Sequence, residues 1–140
     1  MKYATLNDLG DRAVEIAEDH GWLDRFCCHQ DKDSGLRPFG ITVEKDTHYE
    51  ADYSFSVDDA LAQLMLVTTE VAEAAECVRN AQFEEEYVNG KPEGLPSELA
   101  DIVIRTAQIA RVWGIDLDGA VSAKMKFNQG REFMHGGKLA

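Results

Sequence analysis

Two short stretches, Glu70-Val71-Ala72-Glu73 and Glu98-Leu99-Ala100-Asp101, decide how this chain folds. In each, two acids stand three residues apart, the spacing that puts both side chains on one face of an α-helix. Around the first pair, Leu61, Leu64, Thr68, Val71, Ala75 and Val78 recur at helical intervals and are expected to form the buried stripe of a long helix. Ser56, with Asp59 three residues later, reads as its capping box, and Asp58 and Asp59 suit the positive end of the helix dipole. The helical pattern weakens from Arg79 to Glu86, and Asn89-Gly90-Lys91-Pro92-Glu93-Gly94 is turn chemistry throughout. Around the second pair, Leu99, Ile102, Val103, Thr106, Ile109, Ala110 and Trp113 form another stripe, entered through Pro96 and closed by Gly114.

Outward from this pair of helices the pattern continues. Leu6, Leu9, Ala13, Ile16 and Ala17 predict a first helix from Leu6 to His20, stopped by Gly21. Asp116 caps a fourth, running through Leu117, Ala120, Val121, Met125 and Phe127. Between the first two helices, residues 26–55 lose periodicity in a run of Asp, Gly, Pro, His and Lys, with a short strand-like stretch from Phe39 to Val43. A connection of that length is usually functional or mobile. The expectation is an all-α fold: one domain over residues 1–140, a bundle of about four helices with one long irregular connection. Four helices make a narrow bundle with apolar surface to spare, so a homodimer or homotetramer is expected.

Charge narrows the partners. With 14 Lys plus Arg against 26 Asp plus Glu, a formal net charge of -12 leaves little surplus for the basic patch that nucleic-acid polymers require. A small anionic ligand is compatible if metal ions and a few local basic residues carry it. No run of about 18 apolar residues exists and no signal-peptide pattern opens the chain, so no membrane partner and a cytoplasmic location are expected. Cys27, Cys28 and Cys77 are odd in number and poorly spaced for disulfides, and read as free thiols.

The acids carry the chemistry. Packing the two stripes antiparallel would gather Glu70, Glu73, Glu98 and Asp101, and carboxylates so gathered repel one another. A hard divalent cation resolves that conflict: Mg²⁺, or Mn²⁺, takes carboxylate oxygens and water and keeps positions for substrate phosphates. Taken alone, acidic pairs at helical spacing are more often solvated faces, and Glu76, Glu84, Glu85 and Glu86 show how readily this chain scatters acids. A di-iron site is disfavoured because none of His20, His29, His48 or His135 stands three residues after a Glu. Cys27-Cys28-His29 lacks the ligand gaps and the second cysteine pair of a zinc site.

Lys124, Lys126, Arg131, His135 and Lys138 concentrate positive charge near the end of an acidic chain, beside Asn128 and Gly136-Gly137. Such donors suit phosphate oxygens, and a frayed basic tail is the plainer alternative. Here the sequence resembles the MazG-like all-α nucleoside triphosphate pyrophosphatases, particularly short phage and bacterial forms. The resemblance lies in Glu70-x-x-Glu73 followed by Glu98-x-x-Asp101, in Lys91-Pro92-Glu93-Gly94-Leu95-Pro96 before the second motif, and in Lys124-Met125-Lys126-Phe127-Asn128, Arg131 and His135-Gly136-Gly137-Lys138. His20-Gly21-Trp22-Leu23-Asp24 also looks like the family's opening. The resemblance implies hydrolysis of a nucleoside or deoxynucleoside triphosphate to the monophosphate and pyrophosphate, in the cytoplasm of a bacterial or phage-infected host cell. It implies Glu70, Glu73, Glu98 and Asp101 as Mg²⁺ ligands, with Glu70 and Glu73 catalytic, and Lys124, Asn128, Arg131, His135 and Lys138 as nucleotide contacts. The departure is the segment from Cys27 to Phe55, longer than in small members, which puts the base preference in doubt. Two rivals stand beside this: a non-catalytic acidic helical interaction module, and a degenerate relative that binds nucleotide without cleaving it.

Overall fold

The computed structural model describes residues 4–23 and 57–130. The expected connection at 26–55, its strand at 39–43, the Ser56 cap, Cys27, Cys28 and His29 lie outside the described residues. In chain order the elements are α1 (Leu6–Asp19), α2 (Val57–Arg79), β1 (Glu86–Val88), β2 (Lys91–Glu93), α3 (Leu95–Val112) and α4 (Leu117–Gln129). The fold is therefore all-α, four helices with one small hairpin, and each expected helix begins and ends within a residue or two of its sequence signals.

The hairpin corrects the reading of residues 89–94 as turn alone. Val88 pairs with Lys91 and Glu86 with Glu93, so Asn89 and Gly90 form a two-residue loop. Both hold positive φ, 53° and 84°, the backbone that matches the twist of paired strands and that Asn-Gly supplies at least cost. At the exit, Gly94 holds φ 102°, and a β-carbon placed on it would run into the Glu84 carbonyl oxygen, so no side chain fits there. Gly94 is also the N-cap of α3, and its carbonyl accepts the Glu98 N–H at 3.2 Å. The hairpin thus fixes where α3 starts, and with it the position of Glu98.

Helix α3 is the centre of the molecule: α1 and α2 pack on it, and α4 touches α1 and α3. The approach of α1 is close because Gly10 lies over the Ala107 carbonyl, with Ala13, Val14 and Ala17 buried behind it. Val14, Ala17, Leu23 and Val112 form the core, with Ala60 and Trp113 packed against it. Burying each of the larger side chains contributes about 1.5–3 kcal/mol. An Asp11–Arg111 ion pair ties α1 to α3. The starts of α1 and α4 cap each other: the Asp118 carboxylate accepts from Leu6 N and Asn7 N at 3.0 Å, and Asn7 Oδ1 accepts from Leu117 N at 3.1 Å. These bonds satisfy N–H groups that a helix start leaves without partners.

The stripes are corrected too. On α2 the buried residues are Gln63, Glu70, Ala74 and Cys77, whereas Leu61, Leu64, Thr68, Val71, Ala75 and Val78 are exposed. On α3, Leu99, Val103 and Thr106 are exposed, while Glu98, Ala107, Ala110 and Val112 are buried. Close helix contact selects small side chains, so the faces that meet within one chain are the Ala-rich ones that also carry the acids. The bulkier apolar faces are left on the outside of the single chain. No described helix is long and apolar enough to cross a membrane.

Candidate functional site

Because the inward faces are the small ones, Glu70 and Glu98 are not at the margin of the α2–α3 contact but inside it. They are 6% and 7% exposed, values unusual for glutamate without compensation. Glu73, one turn beyond Glu70, is exposed and completes a group: one carboxylate oxygen from each of Glu70, Glu73 and Glu98 lies within 4.8 Å of the other two. Glu98 sits in the first turn of α3, where the helix dipole favours an anion.

The electrostatics follow from that geometry. Desolvation pushes the Glu98 carboxyl above its ordinary value, and the charges of Glu73, Asp101 and Glu70 push it further against a smaller opposing pull from Lys91. Asp101 is half-buried and raised for the same first reason, burial, with Glu70 adding repulsion and Arg105 opposing it. Asp101 thus feels the cluster without belonging to the group of three. Glu70 is held by an ion pair with Arg105 Nε across the α2–α3 contact. The buried Cys77 thiol is likewise raised, by burial first and then by Glu98.

A group of this kind can hold a metal ion. Its donors are carboxylate oxygens alone, two of the three are withdrawn from water, and their repulsion is what a cation would relieve. Glu70, Glu73 and Glu98 offer oxygen alone, with neither nitrogen nor sulfur among the donors of the group.

Of the expected site residues, the structure joins Glu70, Glu73 and Glu98, and sets Asp101 one turn further along α3. Lys124 and Asn128 lie on the exposed face of α4, which does not contact α2, and the Lys124 ammonium stands over the Phe127 ring at 5.4 Å. Arg131, His135 and Lys138 lie outside the described residues. No protein-family model, curated protein or solved structure matches the chain. The resemblance therefore stands on its motifs alone.

Sequence reasoning missed two residues beside the carboxylates. Arg105 follows Asp101 by four and Glu98 by seven, so it shares their face, and the spacing alone could have flagged it as their counter-charge. Gln63 precedes Glu70 by seven on the same face of α2, and its polarity hides its burial from a hydrophobic pattern. Both line a cavity of about 370 Å³ that Asp101, Trp22 and Val112 also line.

Proposed function

We propose that this chain is a Mg²⁺-dependent pyrophosphohydrolase that cleaves a nucleoside or deoxynucleoside triphosphate to the monophosphate and pyrophosphate. One observation carries the reading: carboxylates from two helices, two of them buried, come together in an oxygen-only group that fits a divalent cation. The resemblance of the surrounding motifs to MazG-like enzymes supplies the reaction. Mn²⁺ is the alternative ion.

Glu70, Glu73 and Glu98 would hold the ion, with Asp101 as a fourth ligand. When bound, such ions neutralise phosphate oxygens and lower the pKa of an attacking water. Glu73, exposed and therefore reachable by solvent, orients that water and accepts its proton through a carboxylate oxygen. Arg105 holds Glu70 in place through their ion pair. Lys124, Asn128, Arg131, His135 and Lys138 would supply donors to phosphate or sugar. The substrate pool would be that of a bacterial or phage-infected cytoplasm. Leu61, Leu64, Met65, Val71 and Val78 on α2 are all exposed, which favours assembly as a homodimer or homotetramer.

The same exposed face favours one rival, a non-catalytic module that binds a protein partner through it. Pyrophosphate release from a panel of nucleoside and deoxynucleoside triphosphates with Mg²⁺ separates the two. Release is expected for at least one substrate, abolished by chelator and reduced at least a hundredfold in Glu70→Gln and Asp101→Asn. Folded variants with full turnover would remove the assignment. If the wild type releases nothing, titration with a non-hydrolysable triphosphate tells a nucleotide-binding relative from an interaction module.

A further inference from the structure

Helix α4 is the least supported element of the fold. Of its residues only Leu117 and Asp118 are even half-buried, and every one from Gly119 to Gln129 is exposed. It touches α1 and α3, its start sharing caps with the start of α1, and among the described elements it makes no contact with α2. Isolated helices shorter than about 12–15 residues are marginal in water, so a helix of 13 residues with this little cover calls for support from outside its own chain. The exposed part is also chemically one-sided. Val121, Lys124, Met125 and Asn128 stand at i, i+3, i+4 and i+7, which puts them on one face. With Lys126 nearby, the stretch from Gly119 to Gln129 carries two positive charges and no acid.

Helix α2 offers the matching surface. Leu66, Thr69 and Glu73 stand at i, i+3 and i+7 on an exposed side of it, with Met65 and Glu76 beside them. Leu66 lines the cavity that Asp101 and Arg105 also line, so this is the side of α2 next to the carboxylates. The two stripes have the same length, seven residues or about 10 Å of helix. Seating Val121 and Met125 on Met65 and Leu66 sets Lys124 and Asn128 alongside Glu73, positive charge against negative. One chain does not do this for itself. Glu98 and Val112 lie about 21 Å apart along α3. Helix α4 springs from the Val112 end, and its later residues are exposed rather than laid back along α3.

We propose that α4 of one copy of this chain docks on α2 of a second copy and supplies Lys124 and Asn128 to that copy's carboxylate site, so that each site is completed in trans. The inference rests on the reading of Glu70, Glu73 and Glu98 as a metal site that grips phosphates. Charge chooses the partner: in a chain of net charge -12 a basic, acid-free helix face is the exception, and the chain's own α2 is acidic where that face would lie. In a two-fold pair each copy gives its α4 and receives its partner's, so one association makes the contact twice.

Lys124→Ala and Glu73→Gln both alter exposed residues, so neither threatens the fold. Each chain alone is expected to release pyrophosphate about tenfold or more below the wild type. Co-expressed, the two pair at random, and a mixed pair holds one intact site, made from the unaltered acids of one chain and the unaltered α4 of the other. The mixture should therefore reach about a quarter of the wild-type rate. Sites completed within one chain gain nothing from mixing. A mixture no faster than its components, or a Lys124→Ala chain of full activity, overturns the proposal and leaves the hydrolytic reading standing. Where the wild type releases no pyrophosphate, zero-length carbodiimide coupling decides instead. It should give a covalent dimer on a denaturing gel whose joined peptides link Lys124 to Glu73 or Glu76. That link upholds the docking of α4 while the hydrolysis falls, and a chain that forms no such dimer overturns the docking as well.

Discussion

Replacing Glu98 by glutamine should raise the stability of the metal-free protein and abolish the stabilisation by Mg²⁺, two effects of opposite sign from one atom change. Two unit charges 4.8 Å apart repel by about 0.9 kcal/mol in a water-like medium and about 3.5 kcal/mol at an effective dielectric of 20. Glu73 is exposed, which moves its repulsion of Glu98 towards the lower figure, and the charge of Glu70 is largely offset by Arg105. Against the relief stands the loss of an anion in the first turn of α3, about 0.3–1 kcal/mol. Relief of the burial penalty on the Glu98 charge, the largest cause of its raised carboxyl, adds to the gain, and the net is about 1–2 kcal/mol, or about 3–8 °C in melting temperature for a chain of this size. With Mg²⁺ at about a hundred times its Kd, the wild type should gain about 2.7 kcal/mol and the variant little. Thermal unfolding followed by circular dichroism, with chelator and then with Mg²⁺, reads both. A variant that melts below the wild type in chelator would show that Glu98 makes favourable contacts outweighing its repulsion. A variant that gains as much as the wild type from Mg²⁺ would show that Glu98 is no ligand.

The pH dependence follows with a definite sign. Glu98 and Asp101 bind protons more tightly folded than unfolded, so metal-free stability from these groups is largest below their unfolded values near about pH 4 and declines as pH rises through the folded values. The advantage of Glu98→Gln over the wild type in chelator should therefore shrink on acidification, and Mg²⁺ affinity should fall over the same range. A difference in melting temperature that stays flat with pH would contradict the raised Glu98. Arg105→Met leaves Glu70 buried without its counter-charge; because Arg105 is partly exposed, the loss is discounted to about 1–3 kcal/mol in urea titration, part of it restored by Mg²⁺. No loss in chelator would mean that the pair does not hold Glu70. Gly10→Ala gains about 1 kcal/mol of helix propensity, but the new carbon would stand 2.7 Å from the Ala107 carbonyl, a backbone atom that cannot move aside. Overpacking at about 1–3 kcal/mol should win, and an unchanged or raised urea midpoint would show that α1 can ride outward freely.

The helices were legible because their ends are written in single residues: Pro96 and Gly114 around α3, Asp116 before α4, Gly21 after α1. The inward faces were not. Periodicity locates apolar stripes, and α2 carries two: a bulky one at Leu61, Leu64, Val71 and Val78, and a small one through Ala74 and Cys77 that also holds Gln63 and Glu70. Ranking by hydrophobicity picks the first, whereas close approach to α3 picks the second. The acids were legible as pairs but not their depth, since spacing says which residues share a face and nothing about what covers it. The strands beside Asn89-Gly90 were hidden because all six of their residues are polar, exposed or short of alternation, and their pairing is driven by the turn.

The charges around the carboxylates argue for a cation more strongly than their number does. Glu70, Glu73, Glu98 and Asp101 act on one another, and the opposing charges that reach them come from Arg105 and Lys91. Arg105 is committed to Glu70, and the Lys91 ammonium is held 2.9 Å from Glu93, so the pull of Lys91 on Glu98 is smaller than the push of burial and the neighbouring acids. Burial first, and this excess of negative charge after it, raise the Glu98 and Asp101 carboxyls in the metal-free protein. A triphosphate brought to the same place would add to the excess, and a proton on each of two acids could not offset it. On the proposed reading a divalent ion would do both jobs at once, replacing the protons on the acids and presenting positive charge to the phosphates. Burial of Glu70 and Glu98 would then serve that ion's binding, since shielding from water strengthens every attraction inside the site.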